Sequence, residues 1–266
     1  MELNFWKYQG TGNDFVMVDN RRQNFAYSQP VIQRLCDRRF GIGADGLIAL
    51  EVNANNRFRM RYFNADGREG SMCGNGGRSF VRFLYNMNLI PNNWVEFDAI
   101  DGVHSAEVDD EKVSLHMQDV AQISRIDDRH FADTGSPHVV LFCDDVAKED
   151  VAKKGHDIRQ HTDYAGIGGT NVNFVQAISD AKLAVRTFER GVEAETLSCG
   201  TGVVASALIY ASEHAERLSK IEIQTAGGEL QVEFAKDGNS FTNIILSGPA
   251  EEVFKGTINI IFQENS

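Results

Sequence analysis

Two stretches carry residues that could do chemistry, Ser71-Met72-Cys73-Gly74-Asn75-Gly76-Gly77-Arg78 and Leu197-Ser198-Cys199-Gly200-Thr201-Gly202-Val203-Val204. Each sets one cysteine before a glycine turn. The glycines lead into apolar residues at helical spacing, Phe80, Phe83, Leu84 and Met87 in one copy and Val204, Ala207, Leu208 and Ala211 in the other. The spacing predicts a cysteine at the N-terminus of a helix in both places. Unsatisfied N–H groups and the positive end of the helix dipole gather there, which favours an anion and a lowered thiol pKa. Either copy alone could be a tight turn opening a core helix. Two copies in one chain point to a reaction that uses two thiols.

The elements that must position these cysteines form a repeated plan. Strand-like stretches run from Leu3 to Gln9 and Phe15 to Asp19, and the Gly10–Asp14 segment between them reads as a hairpin turn with Asn13 at its tip. A helix is expected over Val31 to Arg39. A further strand, Arg57 to Phe63, ends in the turn Asn64-Ala65-Asp66-Gly67 and delivers the chain to the Cys73 loop. Strands follow at Trp94 to Ala99, Val103 to Val108 and Lys112 to Met117. A polar connector, Asp119 to Asp133, marks a domain boundary, which divides the chain into 1–118 and 119–254, with the last strand, 255–266, a candidate to return to the first domain. The second half repeats the plan: strands at His138 to Phe142, Asn171 to Ala177 and Leu183 to Phe188, a polar turn, the Cys199 loop, a helix to about His214, and strands at Ile221 to Thr225, Leu230 to Phe234, Asn243 to Leu246 and Thr257 to Phe262. The expected fold is α+β, two pseudo-symmetric domains with antiparallel and mixed strands wrapped around a central helix, and the site in the cleft between them.

Composition excludes several functions. The 266 residues are 42% apolar and 24% charged with only four prolines, as expected of a chain folded throughout. A net charge of -12 repels phosphate backbones and anionic membrane surfaces, so nucleic acid and membrane are not expected partners. The N-terminus has no basic lead or apolar run, and Cys36, Cys73, Cys143 and Cys199 are widely spaced, which together suggest a reduced, cytoplasmic setting with at least two free thiols. Gly41-Ile42-Gly43-Ala44-Asp45-Gly46 matches G-x-G-x-x-G, but a dinucleotide site needs strand then helix, and the order here is helix then strand. No metal site is expected, because His156 and His161 are five apart and no Cys/His ligand cluster occurs.

Asn64-Ala65-Asp66-Gly67, Met72-Cys73-Gly74-Asn75-Gly76, Gly169-Thr170-Asn171-Val172-Asn173-Phe174, Glu189-Arg190-Gly191 and Cys199-Gly200-Thr201-Gly202, with Gly10-Thr11-Gly12-Asn13-Asp14-Phe15 before them, together resemble the diaminopimelate epimerase family over nearly the whole chain. The resemblance implies cofactor-independent inversion of an amino-acid α-carbon, interconverting LL- and meso-diaminopimelate, by a homodimer. It implies that Cys73 donates and Cys199 accepts the proton in the LL to meso direction, and that His138 and Glu189 tune the cysteines. Gly74, Asn75, Gly200 and Thr201 would hold the reacting end of the substrate, and Asn13, Asn64, Asn171, Glu189 and Arg190 the rest. Cysteine suits both proton-transfer roles, since its pKa of about 8.5 is near enough to neutrality for one thiol to be ionised and the other protonated.

The chain departs from the family pattern at four points. Arg68 follows Gly67 where Ser is frequent, Gly46 stands where some members have a substrate-contacting Gln, Ser136 stands where Asn is common, and one extra residue lies between Arg190 and Cys199. These bear on the distal end of the substrate. Two other readings remain open on the residues: a two-cysteine racemase of another amino acid such as proline or hydroxyproline, and a non-catalytic amino-acid-binding protein.

Overall fold

The computed structural model describes residues 2–214 and 217–260. It divides into two compact units, Met1–Val113 with Pro249–Ser266, and Ser114–Gly248. In the first, β1 (Glu2–Gly10) turns into β2 (Asn13–Asp19), α1 (Gln29–Cys36) crosses to β3 (Gly46–Val52), β4 (Phe58–Asn64) leads to α2 (Gly74–Asn86), and β5 (Trp94–Ala99) and β6 (Gly102–Val108) close the run. The returning strand β17 (Glu251–Asn259) pairs with β1. Phe262, the end expected for that last strand, lies outside the described residues.

The second unit holds β7 (Val113–His116), which begins at the division and pairs with β16, then β8 (Ser124–Ile126), β9 (Arg129–Asp133), β10 (Pro137–Phe142), α3 (Val151–Arg159), β11 (Asn171–Ser179), β12 (Lys182–Glu189), the short β13 (Ala194–Thr196), α4 (Gly200–His214), β14 (Lys220–Thr225), β15 (Gly228–Asp237) and β16 (Ser240–Gly248).

The duplication is visible in the pairing. Across β17-β1-β2-β3-β4-β5-β6 the neighbours run antiparallel, antiparallel, parallel, antiparallel, parallel, antiparallel. Across β8-β9-β10-β11-β12-β14-β15 the same series recurs. A parallel pair needs a crossover, and each is made by a helix: α1 and α2 in the first unit, α3 and α4 in the second. The helix after each cysteine is the central one. α2 packs against β1, β2, β3, β4, β6 and β17, and α4 against β9, β10, β11, β12, β14, β15 and β16. Strands on all sides explain why the first eleven residues of α2, Gly74 to Leu84, are all buried, Arg78 and Arg82 included. The smaller helices cover the outer faces: Ile32, Leu35 and Cys36 of α1 join Val16, Val18, Leu47 and Ala49, while Val151 of α3 joins Val172, Phe174 and Phe188.

Three expectations are corrected. Asn13 is not at a loop tip, because Thr11 and Gly12, with φ of 49° and 85°, make a two-residue turn and Asn13 already pairs with Gly10 as the first residue of β2. The first helix stops at Cys36, short of Arg39, since the Asp37 carboxylate accepts from the Arg39 and Phe40 N–H groups and ends the ladder. The polar connector contains the hairpin β8/β9, whose buried residues are His130 and Ala132, an alternation that carries little apolar signal. Among the described residues, no helix is long and apolar enough to cross a membrane.

The α3 contact gives a stability test. A Cβ on Gly155 would stand 2.4 Å from the Cβ of buried Phe188. Alanine recovers about 1 kcal/mol of helix propensity, but overpacking typically costs about 1 to 3 kcal/mol, and a Cβ cannot swing away. Gly155→Ala should therefore unfold at a lower temperature than the parent by calorimetry; an unchanged or raised Tm would mean that α3 sits loosely on β12.

Candidate active site

All four cysteines are free thiols, and two of them stand at the starts of the central helices. The others do not: Cys36 lies in the core, where burial pushes its thiol up to about 12, and burial also raises the thiol of Cys143.

In the first unit Cys73 is the N-cap of α2, its sulfur accepting from the Gly76 N–H at 3.5 Å and its carbonyl from Gly77 at 2.7 Å. Asn13 Oδ1 lies 3.6 Å from the same sulfur. The orientation of that carboxamide is dictated elsewhere, because Asn13 Nδ2 donates to Asp45 Oδ2 at 2.7 Å. Asp45 is itself tied down by Arg38 at 2.8 Å and by the Asp14 N–H, in a cluster where Asp14 also pairs with Arg38 and buried Lys7. Burial opposes ionisation of Asp14, but Arg38 and Lys7 outweigh it and hold the carboxyl below its usual range. The result is a carbonyl oxygen aimed at Cys73, which suits a thiol S–H.

Behind Cys73, Arg78 is fully buried and donates to Asn75 Oδ1 at 2.9 Å, Thr11 Oγ1 at 3.1 Å and the Gly74 carbonyl at 3.3 Å. Burial pushes this guanidinium down to about 10, with Cys73 acting in the opposite sense. The cation thus locks Gly74 and Asn75. Asn64 ends β4 with its side chain exposed and pairs with Gly46. A Cβ at Gly46 would meet Tyr62 Cε2 and the Phe63 carbonyl at 2.5 Å, so the Tyr62 ring occupies the space a larger residue would need. Arg68 is exposed and beside Asp66.

In the second unit Cys199 immediately precedes α4, and its carbonyl accepts from the Val203 N–H at 2.9 Å. Thr201 Oγ1 stands 3.5 Å from the Cys199 sulfur and 2.8 Å from His138 Nε2. His138 is fully buried on β10, and burial, aided by Arg190, pushes its imidazole down to about 3, so the ring is neutral. Asn171 starts β11 opposite His138. Its carboxamide donates to Ser136 Oγ and the Pro137 carbonyl, each at 2.9 Å, and accepts from the Arg190 N–H at 2.8 Å. Asn171 therefore braces the segment around it. Arg190 follows half-buried Glu189 at the end of β12, and its guanidinium reaches the carbonyls of Ile167 and Gly169 at 3.2 and 3.3 Å and Ser136 Oγ at 3.4 Å. Ser136 thus serves both Asn171 and Arg190.

Each unit gathers its own share of the expected residues: Asn13, Gly74 and Asn75 around Cys73, and His138, Gly200 and Thr201 around Cys199, with Asn171, Glu189 and Arg190 at the adjoining strand ends. Three polar residues that bear on the sulfurs, Asp45, Arg78 and Asn173, lie in quoted stretches but receive no role from the sequence. Asp45 sits in the glycine-rich segment set aside as a nucleotide motif, which does run from helix α1 into strand β3. Arg78 and Asn173 had one legible signal, a polar residue inside an otherwise apolar element.

A sequence profile of diaminopimelate epimerase matches residues 5–123 and 130–253. Diaminopimelate epimerase of Flavobacterium psychrophilum is 47% identical over 258 residues, covering 96% of this chain and all of the relative. This chain belongs to the diaminopimelate epimerase family. The enzyme of the same description from Chlorobaculum tepidum is 42% identical over 260 residues, 94% of this chain and 99% of the relative. Among solved structures, a phenazine biosynthesis protein of the PhzF family from Bacillus anthracis superposes with a TM-score of 0.76 at 15% identity, over 98% of this chain and all of that one. A hydroxyproline epimerase from Agrobacterium vitis gives 0.68 at 13%, over 97% and 92%. These likenesses show the shared two-domain α+β fold.

Proposed function

We propose that the protein inverts an α-carbon of diaminopimelate, interconverting the LL and meso forms without a cofactor, with Cys73 and Cys199 as acid and base. The observation that carries this reading is the pair of thiols at the starts of equivalent central helices in a chain of this family, each with a different set of hydrogen-bonding neighbours. Inversion needs one group to take a proton and another to return one to the opposite face, and a single residue type can fill both roles only if its surroundings separate the two states. The carbonyl of Asn13 favours a protonated Cys73, the donor in the LL to meso direction. Cys199 is the acceptor, and the roles exchange in reverse. N–H groups at the two helix starts, Gly74, Asn75, Gly200 and Thr201, are suited to the substrate α-carboxylate, stabilising charge as the carbanion forms.

Arg190, Glu189, Asn13, Asn64 and Asn171 are assigned to the remainder of the substrate, and His138 and Glu189 to tuning the thiols. Among the described residues the Arg190 guanidinium donates to the neutral oxygens of Ile167, Gly169 and Ser136, which leaves its charge available to a distal carboxylate. We place the active protein in the cytoplasm as a homodimer, in line with its family. Incubating purified protein with LL-diaminopimelate and separating the stereoisomers tests the reading. The meso form should accumulate to equilibrium with no added pyridoxal phosphate or metal. Inversion of proline or hydroxyproline in place of diaminopimelate would transfer the site to another amino acid, and inversion of none would leave a binding protein.

A further inference from the structure

We infer that Asn173 and Thr187 are positioning residues that, through His138, hold the Thr201 hydroxyl as a hydrogen-bond donor to the Cys199 sulfur. The polarity of this chain of contacts can be deduced from one end to the other. The Val139 carbonyl can only accept, so the atom of Asn173 that lies 2.9 Å from it is the amide nitrogen, Nδ2. The other end of the carboxamide, Oδ1, accepts from Thr187 Oγ1 at 2.9 Å, which agrees with that orientation. Thr187 faces Asn173 directly across the β11/β12 ladder. Asn173 Nδ2 also lies 3.1 Å from His138 Nδ1. A donor there requires Nδ1 to be the unprotonated nitrogen.

A neutral imidazole has one N–H, so the proton of His138 is on Nε2 and is donated to Thr201 Oγ1 at 2.8 Å. Since the Nε2–H of His138 can only donate to it, the hydroxyl of Thr201 turns its own hydrogen to its other neighbour, the Cys199 sulfur at 3.5 Å. The charged form of the thiol gains from that donor. His138, Asn173 and Thr187 are 0%, 0% and 2% exposed, so water does not compete for these groups. Gly202, one residue beyond Thr201, permits the arrangement: a Cβ there would stand 2.3 Å from Asn173 Oδ1. The neutral His138 therefore acts through its tautomer and not through charge. Both sulfurs have a donor, Thr201 Oγ1 at Cys199 and the Gly76 N–H at Cys73, but Cys73 also faces the Asn13 carbonyl, and that added acceptor biases the resting pair toward thiolate at 199 and thiol at 73.

This inference rests on the reading of Cys199 as the proton acceptor, and it is tested without substrate. Nitrogen-15 spectra of the histidine rings, with His138 assigned by its loss in His138→Gln, should show the Nε2–H tautomer near neutral pH. The pH dependence of iodoacetamide alkylation, resolved by mass spectrometry for each cysteine peptide, should move for Cys199 in Asn173→Ala and Thr201→Val. The expected change is about tenfold slower alkylation of Cys199 near pH 7, with the Cys73 profile unmoved and Thr201→Ser restoring the parent behaviour. A merely structural role for Asn173 would not move one thiol alone. A proton found on Nδ1 of His138, or a Cys199 profile unchanged in Thr201→Val, overturns the inference even if Asn173→Ala does not fold. Failure of the parent protein to invert diaminopimelate, with these results as expected, would remove the proposed activity and leave the relay intact.

Discussion

Cys73→Ala and Cys199→Ala should each abolish inversion of diaminopimelate. Removing either thiol leaves one face of the α-carbon with no proton-transfer group, and general acid or base catalysis by one positioned group is worth about 10² to 10⁴-fold. Heavy water separates this from a single shuttling base. The resting acid thiol exchanges with solvent before turnover and carries deuterium, while the base collects protium from the substrate. Product formed early should therefore hold deuterium at the α-carbon, and unreacted substrate should be almost unlabelled. A single base would return the captured hydrogen to either face, yielding product with the substrate's own hydrogen and substrate exchanged without inversion. An alanine variant that still inverts at a comparable rate rules out the two-thiol mechanism.

Arg190→Lys should lower kcat/KM for diaminopimelate by well over tenfold. The planar guanidinium donates Nη1 to two backbone carbonyls and Nη2 to Ser136, a fork that an ammonium on a different stem cannot reproduce. Lysine keeps the charge but loses one of the two parallel hydrogen bonds to a bound carboxylate, and a hydrogen bond to a charged group is worth about 1.5 to 3 kcal/mol. The backbone N–H of Arg190 is held by Asn171 whatever the side chain, so the substitution changes the head group and leaves the strand end in place. Steady-state kinetics on LL-diaminopimelate check it. Kinetics equal to the parent's would make Arg190 a brace for the Gly169 turn and withdraw the strongest support for a dicarboxylate substrate.

The apolar periodicities around Cys73 and Cys199 were enough to place both central helices, because a glycine turn followed by residues at i, i+3 and i+4 is a local pattern. The strands flanking them were legible for the same reason. The hairpin β8/β9 was not, since Arg129, Phe131 and Asp133 alternate with His130 and Ala132, and only packing makes the second set the buried one. Asn13 shows the limit at a single residue: its type marked a turn, while the backbone angles of Thr11 and Gly12 make it the start of a strand.

What the sequence by itself determined was the chemistry available: two thiols at helix starts, a duplicated α+β plan and the family that shares both. Only the tertiary structure decided which atoms face each sulfur. Asn13 reaches Cys73 across 60 residues, His138 reaches Thr201 across 63, and Asn173 reaches His138 across 35. Such meetings depend on strand register, where a slip of one residue turns a side chain to the opposite face. Asn171 and Asn173 share one face of β11 with Val175, against α4, while Val172 and Phe174 face α3. Local pattern specifies helices and strands; the Asn13 carbonyl at Cys73 and the His138 ring behind Thr201 come from the pairing of distant strands, and no stretch of sequence contains them.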